Sequence, residues 1–500
     1  MKATAEIMRT FDALANERRA AILGAKDALV IEGTRYYVAN DGDDAADGLT
    51  PETAWKTLAK VSAAELKPGD GVFFRRGDLF RGAVQVCAGV AYGAYGEGDK
   101  PKLYGWDEPL DDPARWELVD EEHHIWRWNG KTLDPGTLVF GDDETWCRKL
   151  IPSYINGKFV CRNDESRDFV MADEMTQDLD LYWHFDSILT TRPSKGQDFP
   201  IPEIGPQSLG DIYLRCDKGN PAEVYKKIEA VTRRAMFTVG SKPNVRIDNI
   251  CIKYVGLHGI AAGGHVKGLH VTNCEIGWIG GTIQHYFGTD PNYPQGGRGT
   301  VTRFGNGIEI YGGCEDYLVE NCWLYQAYDA GITHQVTTGG KKVSMSNIRY
   351  LDNLVENCVY GIEYFLDMTE GDTESLMRDI VMRGNIIRTA GYGWGQQRHN
   401  TDTPALIKGW SYVNNAEDYH ILDNVFDRAA YRMLHLVCEK QKSAPEMAGN
   451  TYIQHLGGMI GQYGGKENGE PPILRFDEQA EETIKTVLGD KTAKVYTIEE

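Results

Sequence analysis

The sequence lacks the long apolar runs of a membrane protein. No window of the 500 residues approaches 18 consecutive apolar side chains, so no membrane-spanning helix is predicted. A basic stretch followed by an apolar one is also missing from the first residues, and we therefore expect no secretion signal and a cytoplasmic location. Residues 1–35 are instead predicted to form a helical cap, with Ile7, Phe11, Leu14 and Ile22 on its inner face.

Cysteine pairs with metal-binding spacing are absent as well. None of the ten cysteines forms a CxxC motif, and Cys274, Cys322 and Cys358 each follow an asparagine in a strand-like run. Reduced thiols in a core are the predicted state, and zinc is not expected. The acidic turn DGDDAADG at 41–48 leaves a structural Ca²⁺ open, but its spacing does not fit an EF-hand. Hydrogen-bonded turn acids are therefore favoured, and no cofactor is predicted.

Positive charge is scarce. The chain has 53 lysines and arginines against 73 aspartates and glutamates, which gives a net charge of −20. A surface this acidic repels phosphate backbones and other polyanions, so nucleic acid is not an expected partner. A neutral substrate is compatible with this charge, and the composition leaves the formation of a homo-oligomer open.

Glycine, tyrosine and short alternating apolar runs are abundant, and they predict many short strands joined by turns. Asparagine recurs in similar runs, at Asn249, Asn273, Asn321, Asn353, Asn385, Asn424 and Asn450. The first spacing is 24 and the next is 48, which we interpret as two units of 24. Each unit is predicted to form one coil of a parallel β-helix, with asparagines that take left-handed turn positions and stack as an amide ladder.

The repeat does not cover the whole chain. Two segments, 279–305 and 390–403, lengthen single coils and are predicted to wall a cleft. The division that the pattern predicts is a cap at 1–35, first coils at 36–105, an inserted β-rich, sandwich-like domain at 106–235, the main solenoid at 236–475, and a C-terminal helix or tail at 476–500. The tryptophans of the inserted domain are predicted to form its core.

The run YYVANDGDDAADGLTPETAWKTLAKV from Tyr36, followed by LKPGD and the asparagine-bearing coils, resembles the right-handed parallel β-helix superfamily of pectate-lyase-like, carbohydrate-active proteins. A β-helix with an early inserted β-sandwich is similar to the two-domain β-helix β-xylosidases. The resemblance implies an all-β, right-handed parallel β-helix. It also implies chemistry on oligo- or polysaccharides at an outward strand face, carried by paired carboxylates one or two coils apart.

Three strands share a Gly-Ile-polar pattern: NGIEIYGG, AGITHQVT and YGIEYFLD, which begin at residues 306, 330 and 360. Alternation points the residue after the aliphatic one outward. Along the stack this position is predicted to hold Ala261, Glu309, Thr333, Glu363, Ile407 and His435.

Three acids in these coils are the predicted catalytic residues. Glu309 and Glu363 lie two coils apart, about 9.6 Å between backbones, which suits an inverting glycosidase. Asp329, one coil from Glu363, gives instead the separation of about 5 Å typical of a retaining enzyme. Both pairings remain open.

Aromatic rings beside carboxylates are typical of sugar sites, because rings pack on C–H faces while the acids transfer protons. His334 alternates toward the interior, where a buried histidine with hydrogen-bond partners is favoured. The residues predicted to contact substrate are His258, Arg303, Tyr311, His334, Gln335, Phe365, Asp367, Arg398, His399, Lys408, Trp410 and His435.

The predicted function is a glycoside hydrolase that cleaves neutral oligo- or polysaccharides. A polysaccharide lyase or uronate epimerase is the first alternative, and Lys408 and Arg398 would serve it by neutralising a uronate. Acids at the centre of the stack and the net charge of −20 disfavour that reading. A non-catalytic carbohydrate-binding β-helix is the second alternative.

Overall fold

The computed structural model describes residues 4–155, 158–185, 191–192, 201–202, 205, 207–232, 234–285, 298–299, 301–398, 404–413 and 415–499. Among these residues the α-helices are Ala5–Leu23, Leu58–Ala63, Met171–Glu174, Pro221–Tyr225 and Ala480–Thr486. Short 3-10 helices cover Pro51–Thr53, Pro113–Arg115, Trp394–Gln397 and Gln441–Ser443. Strands dominate the rest, so the prediction of a mainly β chain is confirmed.

One long sheet has ten strands, each parallel to its neighbours. In order these are Leu79–Arg81, Lys102–Tyr104, Cys251–Val255, Glu275–Ile279, Trp323–Ala327, Leu354–Glu356, Ile386–Ala390, Val425–Ala429, Thr451–His455 and Lys494–Ile498.

A second sheet system has eighteen strands and is parallel apart from its last pairing, Gly458–Gly465 with Leu474–Phe476. Six of its strands, which pair in succession, position the candidate site: β1 (Ile260–Thr272), β2 (Ile308–Glu320), β3 (Ala330–Thr337), β4 (Tyr360–Asp367), β5 (Ala405–Val413) and β6 (Arg432–Cys438). The other strands are Arg35–Val38, Gly71–Arg75, Val84–Gln85, Ala91–Tyr95, Phe237–Gly240, Arg246–Asp248, Ser344–Leu351, Leu376–Arg383, Ala416–Leu422 and Glu446–Ala448, with the final pair given above.

The main core contains residues of both sheets, and aliphatic side chains stack through it from strand to strand. Ile308, Ile332, Ile362, Ile407 and Leu434 follow one another in register and are buried. The first three follow the glycine of the repeated pattern, and all five point inward because strand alternation sends every second side chain toward the core.

The interpretation of the 48-residue spacing as two coils is wrong. Glu275–Ile279 pairs directly with Trp323–Ala327, and β1 pairs directly with β2. The segment 279–305 therefore lengthens one connection and does not separate the paired strands. The length of a connection does not change the register of the strands that it joins, so spacing alone could not separate two short coils from one long coil.

The asparagines play two roles, and they are not all equivalent. Asn249, Asn273 and Asn321 have left-handed backbone angles, whereas in later coils the left-handed residue comes one position earlier, as at Asp352 and Asp423. The asparagine that follows is buried and forms the predicted amide ladder. Its side-chain bonds run from Asn353 to Asn385, Asn424, Asn450 and finally Asp490, at 2.8–3.0 Å.

Residues 106–235 build further sheets with a core of their own. The strands are Trp116–Asp120, Ile125–Trp128, Thr132–Leu133, Leu138–Phe140, Thr145–Trp146, Arg148–Leu150, Ser153–Ile155, Lys158–Cys161, Asp164–Asp168, Asp180–Phe185, Thr191–Arg192, Ile201–Pro202, Leu209–Arg215 and Ile228–Ala230. Trp116, Trp128 and Trp183 are buried there, together with Ile283 and Val301 from the first long segment. That segment also contains the strands Ile283–His285, Arg298–Gly299 and Thr302–Arg303.

The two ends of the chain differ from the predicted cap and tail. Helix Ala5–Leu23 lies along the side of the ten-stranded sheet, where Ala15 and Ile22 pack against Leu354 and Ile386. Phe11 meets Tyr496 edge to face, while the predicted inner residue Leu14 is 38% exposed. The last segment is more than a helix or tail, because Lys494–Ile498 pairs with Thr451–His455 as the outermost strand of that sheet.

All ten cysteines are free thiols, and nine of them are buried. Within the part of the chain that the structure describes, none of the helices combines the length and hydropathy that a bilayer crossing requires.

Candidate active site

Five side chains form one outward column, here called the acid column: Glu309, Thr333, Glu363, Lys408 and His435. Thr333 pairs with Glu363, Glu363 with Lys408, and Lys408 with His435. The placement of Ile407 in this column was wrong: Ile407 pairs with Ile362 in the core, and its neighbour Lys408 takes the outward position. The column therefore carries a cation directly beside Glu363.

A second column, here called the aromatic column, lies two residues farther along the same strands and contains Tyr311, Gln335, Phe365 and Trp410. Gln335 pairs with both Tyr311 and Phe365. The rings of Tyr311 and Phe365 nevertheless approach to 6.3 Å edge to face, and the rings of Phe365 and Trp410 to 6.4 Å. Strands two apart are about 9.6 Å from each other, so the first two rings lean toward one another over the strand of Gln335.

Glu309 is nearly buried and accepts hydrogen bonds from three neighbours. Asn306 Nδ2 lies 2.5 Å from Oε2, Thr333 Oγ1 lies 2.8 Å from it, and Gln335 Nε2 lies 3.1 Å from it. A carboxylate is a pure acceptor, so the surrounding donors match the ionised form of this side chain. Asn306 is itself fixed, because its Oδ1 accepts the backbone N–H of Ala330 at 2.8 Å.

Asp329 precedes β3 and forms a buried ion pair with Arg398. Arg398 belongs to the second long segment, and it also lies over the rings of Phe304 and Tyr360 at 5.2 and 5.8 Å. The segment thus contacts residues at the start of β3 and β4. This contact agrees with the predicted role of 390–403 as a wall, although residues 399–403 lie outside the described ranges.

Glu363 is buried in the acid column, and its carboxyl is affected by charges of both signs. Burial, followed by the negative charge of Asp329, raises its pKa from 4.5 to about 7, against the opposing effects of Lys408 and Arg398. Trp410 Nε1 donates to Glu363 Oε1 at 2.7 Å. A carboxyl that titrates near neutrality can be protonated at physiological pH and can donate that proton.

Lys408 is only 1% exposed, although it belongs to an outward column. Its ammonium lies 3.6 Å from the ring centroid of Trp410 and 4.2 Å from that of Tyr360. Nζ also donates to the hydroxyl of Tyr360 at 3.0 Å. Two rings therefore hold the cation next to Glu363.

His435 continues the acid column beyond Lys408. Its Nδ1 lies 2.7 Å from Arg432 Nη1, and since arginine only donates, Nδ1 is the acceptor and carries no proton. Burial, with Arg432 and Lys408 nearby, lowers the pKa of His435 to about 3. The imidazole is therefore neutral and can offer Nε2–H as a donor.

The structure brings together most of the predicted site residues. His258 contacts Asn306, which donates to Glu309: His258 Nδ1 accepts the backbone N–H of Asn306 at 3.1 Å. Asp367 ends β4 and accepts from Thr337 Oγ1 at 3.1 Å. His399 lies outside the described residues.

Two predicted substrate contacts are directed elsewhere. His334 lies in the core, where Nδ1 meets Tyr350 OH at 2.8 Å and the ring stacks on Tyr364, and burial lowers its pKa to about 3. Arg303 is buried against Asp134 of the 106–235 segment and donates to the carbonyl of Gly281 at 2.8 Å. Strand alternation explains the first placement, and a partner from a distant segment explains the second.

Three residues of this site were missed from sequence: Asn306, Thr333 as a donor, and Tyr360. Asn306 and Tyr360 occupy the same place in the repeated pattern, immediately before its glycine, so the repeat itself carried a signal. Asp134 carried no such signal, because only folding brings it to Arg303.

Comparisons with known proteins give partial similarities. No protein-family model matches the chain. A lacto-N-biosidase of Bifidobacterium longum subsp. longum is 37% identical over 81 residues, which are 14% of this chain and 5% of that enzyme, so the chain matches only a small part of this relative's length.

Among solved structures, a XylC–xylose complex aligns with a TM-score of 0.37 at 12% identity, over 93% of this chain and 83% of the other. A GH136 lacto-N-biosidase from Eubacterium ramulus aligns with a TM-score of 0.33 at 12% identity, over 99% and 70%.

Proposed function

We propose that this chain is a glycoside hydrolase and that its acid column is the catalytic face. The observation that carries the proposal is the state of Glu363: a buried carboxyl beside Asp329, with a pKa near 7, in the same column as a glutamate surrounded by donors. Glycosidases need one carboxyl that gives a proton to the leaving oxygen and a second that is ionised. We propose Glu363 for the first role and Glu309, which accepts hydrogen bonds from three donors, for the second.

We assign Glu363 as the general acid and Glu309 as the general base. The two side chains project from strands separated by β3, so their backbones are about 9.6 Å apart, which leaves room for a water molecule between the carboxyls. This spacing favours inversion at the anomeric carbon. Asp329 is held by Arg398, and its negative charge adds to the effect of burial in raising the pKa of Glu363. Retention of configuration would instead point to Asp329 as the nucleophile.

The aromatic column is the proposed binding surface for the sugar rings. Tyr311 is 47% exposed, its ring contacts that of Phe365, and the ring of Phe365 contacts that of Trp410. A row of rings therefore runs beside the proposed catalytic carboxyls. We therefore propose a neutral oligo- or polysaccharide as substrate. The short similarity to a lacto-N-biosidase supports the inclusion of that enzyme's substrates among the compounds tested.

We also infer that the two long sheets wind into a right-handed parallel β-helix. From Cys251–Val255 onward, one or two strands of the eighteen-stranded sheet come between successive strands of the ten-stranded sheet, equivalent strands of successive repeats pair in parallel, and the amide ladder runs along the stack. Site residues would then be far apart in sequence yet one strand spacing apart in space.

The test is a hydrolysis assay with nitrophenyl glycosides and with oligosaccharides that include those cleaved by lacto-N-biosidases. Glu309→Gln and Glu363→Gln are each expected to lose about 10²-fold or more in kcat, the usual contribution of acid–base catalysis. Glu315→Gln is the control, because this glutamate lies on the same strand as Glu309 but pairs with exposed Lys267. Full activity in both column variants would remove the proposed site.

A lyase or epimerase is the second candidate, and the position of Lys408 favours it: a lysine follows Glu363 directly in the acid column. A lyase would need this amine to contact a uronate, and its product would be unsaturated and absorb ultraviolet light. Product analysis in the same assay distinguishes the two chemistries.

We propose that activity needs no metal. Asp44 accepts the backbone N–H groups of Lys56 and Thr57, and Asp47 that of Leu49, so these acids of the DGDDAADG turn already bind the chain itself. A chelator should leave activity and melting temperature unchanged, whereas a drop in either would support a structural Ca²⁺ in this turn.

The free buried thiols support a reducing, cytoplasmic location. Light scattering would test for a homo-oligomer.

A further inference from the structure

Lys408 combines three features that do not suit a substrate contact. It is almost fully buried, it lies between the rings of Trp410 and Tyr360, and its ammonium already donates to Tyr360. Removing an ammonium group from water costs free energy that the ring faces and the nearby carboxyl partly offset. A cation held in this way is a fixed charge rather than a mobile ligand for sugar.

Trp410 connects this cation to the proposed acid. Its indole N–H donates to Glu363 Oε1 at 2.7 Å, while the face of the same ring meets Lys408 Nζ at 3.6 Å. The backbone pairing of Glu363 with Lys408 fixes the two side chains on neighbouring strands. The ring therefore orients the carboxyl and the ammonium at the same time.

We propose that Lys408 is a positioning residue that acts through Glu363: its fixed positive charge limits how strongly the acid holds its proton, and Trp410 keeps the two groups in register. The proposal deepens the proposed function, because it rests on Glu363 as the general acid. It gives Lys408 a role distinct from both substrate binding and lyase chemistry.

The charged groups that face Glu363 come from every element packed against it. Asp329 stands at the start of β3, Arg398 comes from the second long segment, and Lys408 lies on β5. Tyr360 on the same strand as Glu363 accepts from Lys408, and the next members of the column, Glu309 and His435, lie farther away on either side.

These groups act in opposite directions. Burial and Asp329 favour the protonated carboxyl, whereas Lys408, Arg398 and the Trp410 hydrogen bond favour the carboxylate. A general acid works best when its pKa lies near the working pH, because a higher pKa weakens proton donation to the leaving oxygen. Without Lys408, one of the groups that lower the pKa of Glu363 against burial and Asp329 is lost, so Glu363 would keep its proton to higher pH.

The experiment titrates Glu363 directly and needs no substrate. Glutamate side chains are labelled with ¹³C at the carboxyl carbon, and the Glu363 resonance is assigned by its loss in Glu363→Gln. In Lys408→Met the midpoint is expected to rise by about 1 to 3 units, the usual effect of removing an opposite charge at this range. Lys408→Arg should restore the midpoint, because it returns the cation.

A matched control separates this effect from the general loss of a buried lysine. Lys100→Met removes another buried lysine, which donates to Asn249 at 2.5 Å in the turn region, and it should leave the Glu363 midpoint unchanged. An unchanged midpoint in Lys408→Met, or an equal shift in Lys100→Met, would overturn the proposal. If Lys408→Met does not fold, Lys408→Gln decides: it removes the charge but keeps a polar group at the position, and the midpoint must rise for the proposal to stand.

Activity assays distinguish this proposal from the proposed function. If the midpoint shifts as expected while no glycoside is hydrolysed, the positioning of Glu363 stands and the hydrolase assignment fails. If hydrolysis depends on Glu363 but the titration midpoint of Glu363 is unchanged in Lys408→Met, the hydrolase assignment stands and the positioning role fails. If both hold, the basic limb of kcat should move to higher pH in Lys408→Met.

Discussion

Glu309 and Glu363 lie on strands that flank the same neighbour. Thr333 of that neighbouring strand donates its hydroxyl to Glu309 at 2.8 Å, and its backbone pairs with that of Glu363. One strand spacing on each side of Thr333 therefore sets the distance between the two acids, about 9.6 Å at the backbone.

Glu363→Gln should be most harmful for substrates with poor leaving groups. A general acid protonates the departing oxygen, so ordinary oligosaccharides should lose about 10²- to 10⁴-fold in rate. Dinitrophenyl glycosides need little protonation and should lose much less. Comparing kcat/KM across leaving groups of different acidity measures this, with Glu315→Gln as the control. A uniform loss would assign Glu363 some other role.

Asp329→Asn should move the basic limb of the pH profile to lower pH. The charge of Asp329 raises the pKa of Glu363, and its removal also leaves Arg398 uncompensated, which acts in the same direction. Glu363 would therefore lose its proton at a pH about 1 to 3 units lower. Rate profiles of kcat against pH test this. Asp427→Asn, which removes an acid paired with Arg388 and Arg428 on the ten-stranded sheet, should leave the limb in place.

Glu363→Gln should stabilise the protein at alkaline pH. The folded pKa of Glu363 is raised from 4.5 to about 7, so the folded state binds this proton more tightly than the unfolded state. Its contribution to stability is complete below about 4.5 and is lost as pH rises through about 7. At pH values of about 8 the variant should gain about 1 to 3 kcal/mol in the free energy of unfolding. Denaturation at that pH and near 5 should show the gain only in the first case, because near pH 5 the folded protein holds Glu363 protonated and as neutral as the amide.

Asn424→Ala should destabilise the protein strongly. Asn424 Oδ1 accepts from the backbone N–H and the side chain of Asn385, and Nδ2 donates to Asn450 and to the carbonyl of Met382. Alanine leaves several buried polar groups without partners, at a cost of about 2 to 4 kcal/mol. Calorimetry should show the loss, and exposed Asn468→Ala should not show it. Equal stability of both variants would contradict a structural role for the ladder.

Tyr311→Ala should weaken substrate binding without disturbing the fold. The ring is 47% exposed and meets Phe365 edge to face, so its main loss is contact area for a sugar. We expect KM to rise by about 3- to 10-fold, which corresponds to the 0.5–1.5 kcal/mol of an aromatic contact, while kcat changes little. Leu456→Ala removes an apolar side chain of equal exposure next to strand Thr451–His455 of the ten-stranded sheet, and it should leave KM unchanged.

Sequence reasoning placed Glu309, Thr333 and Glu363 in one outward column, and the register agrees. It failed at the next position, because Lys408 rather than Ile407 follows Glu363. The strand of Lys408 lacks the Gly-Ile signature, so its inward residue could not be identified by pattern. The interpretation of the 48-residue spacing failed for a related reason: a long connection adds residues without changing which strands pair.

The sequence by itself determined which residues alternate inward and outward, since period two is a local property of each strand. The parallel strands, the inward aliphatic stack and the outward acids were all readable from short repeats. Only the tertiary structure decided that Asp329 meets Arg398, that Lys408 is buried between two rings, and that Glu363 titrates near neutrality. These properties depend on distances and burial among residues far apart in the chain, and desolvation and Coulomb interactions have no counterpart in a linear pattern.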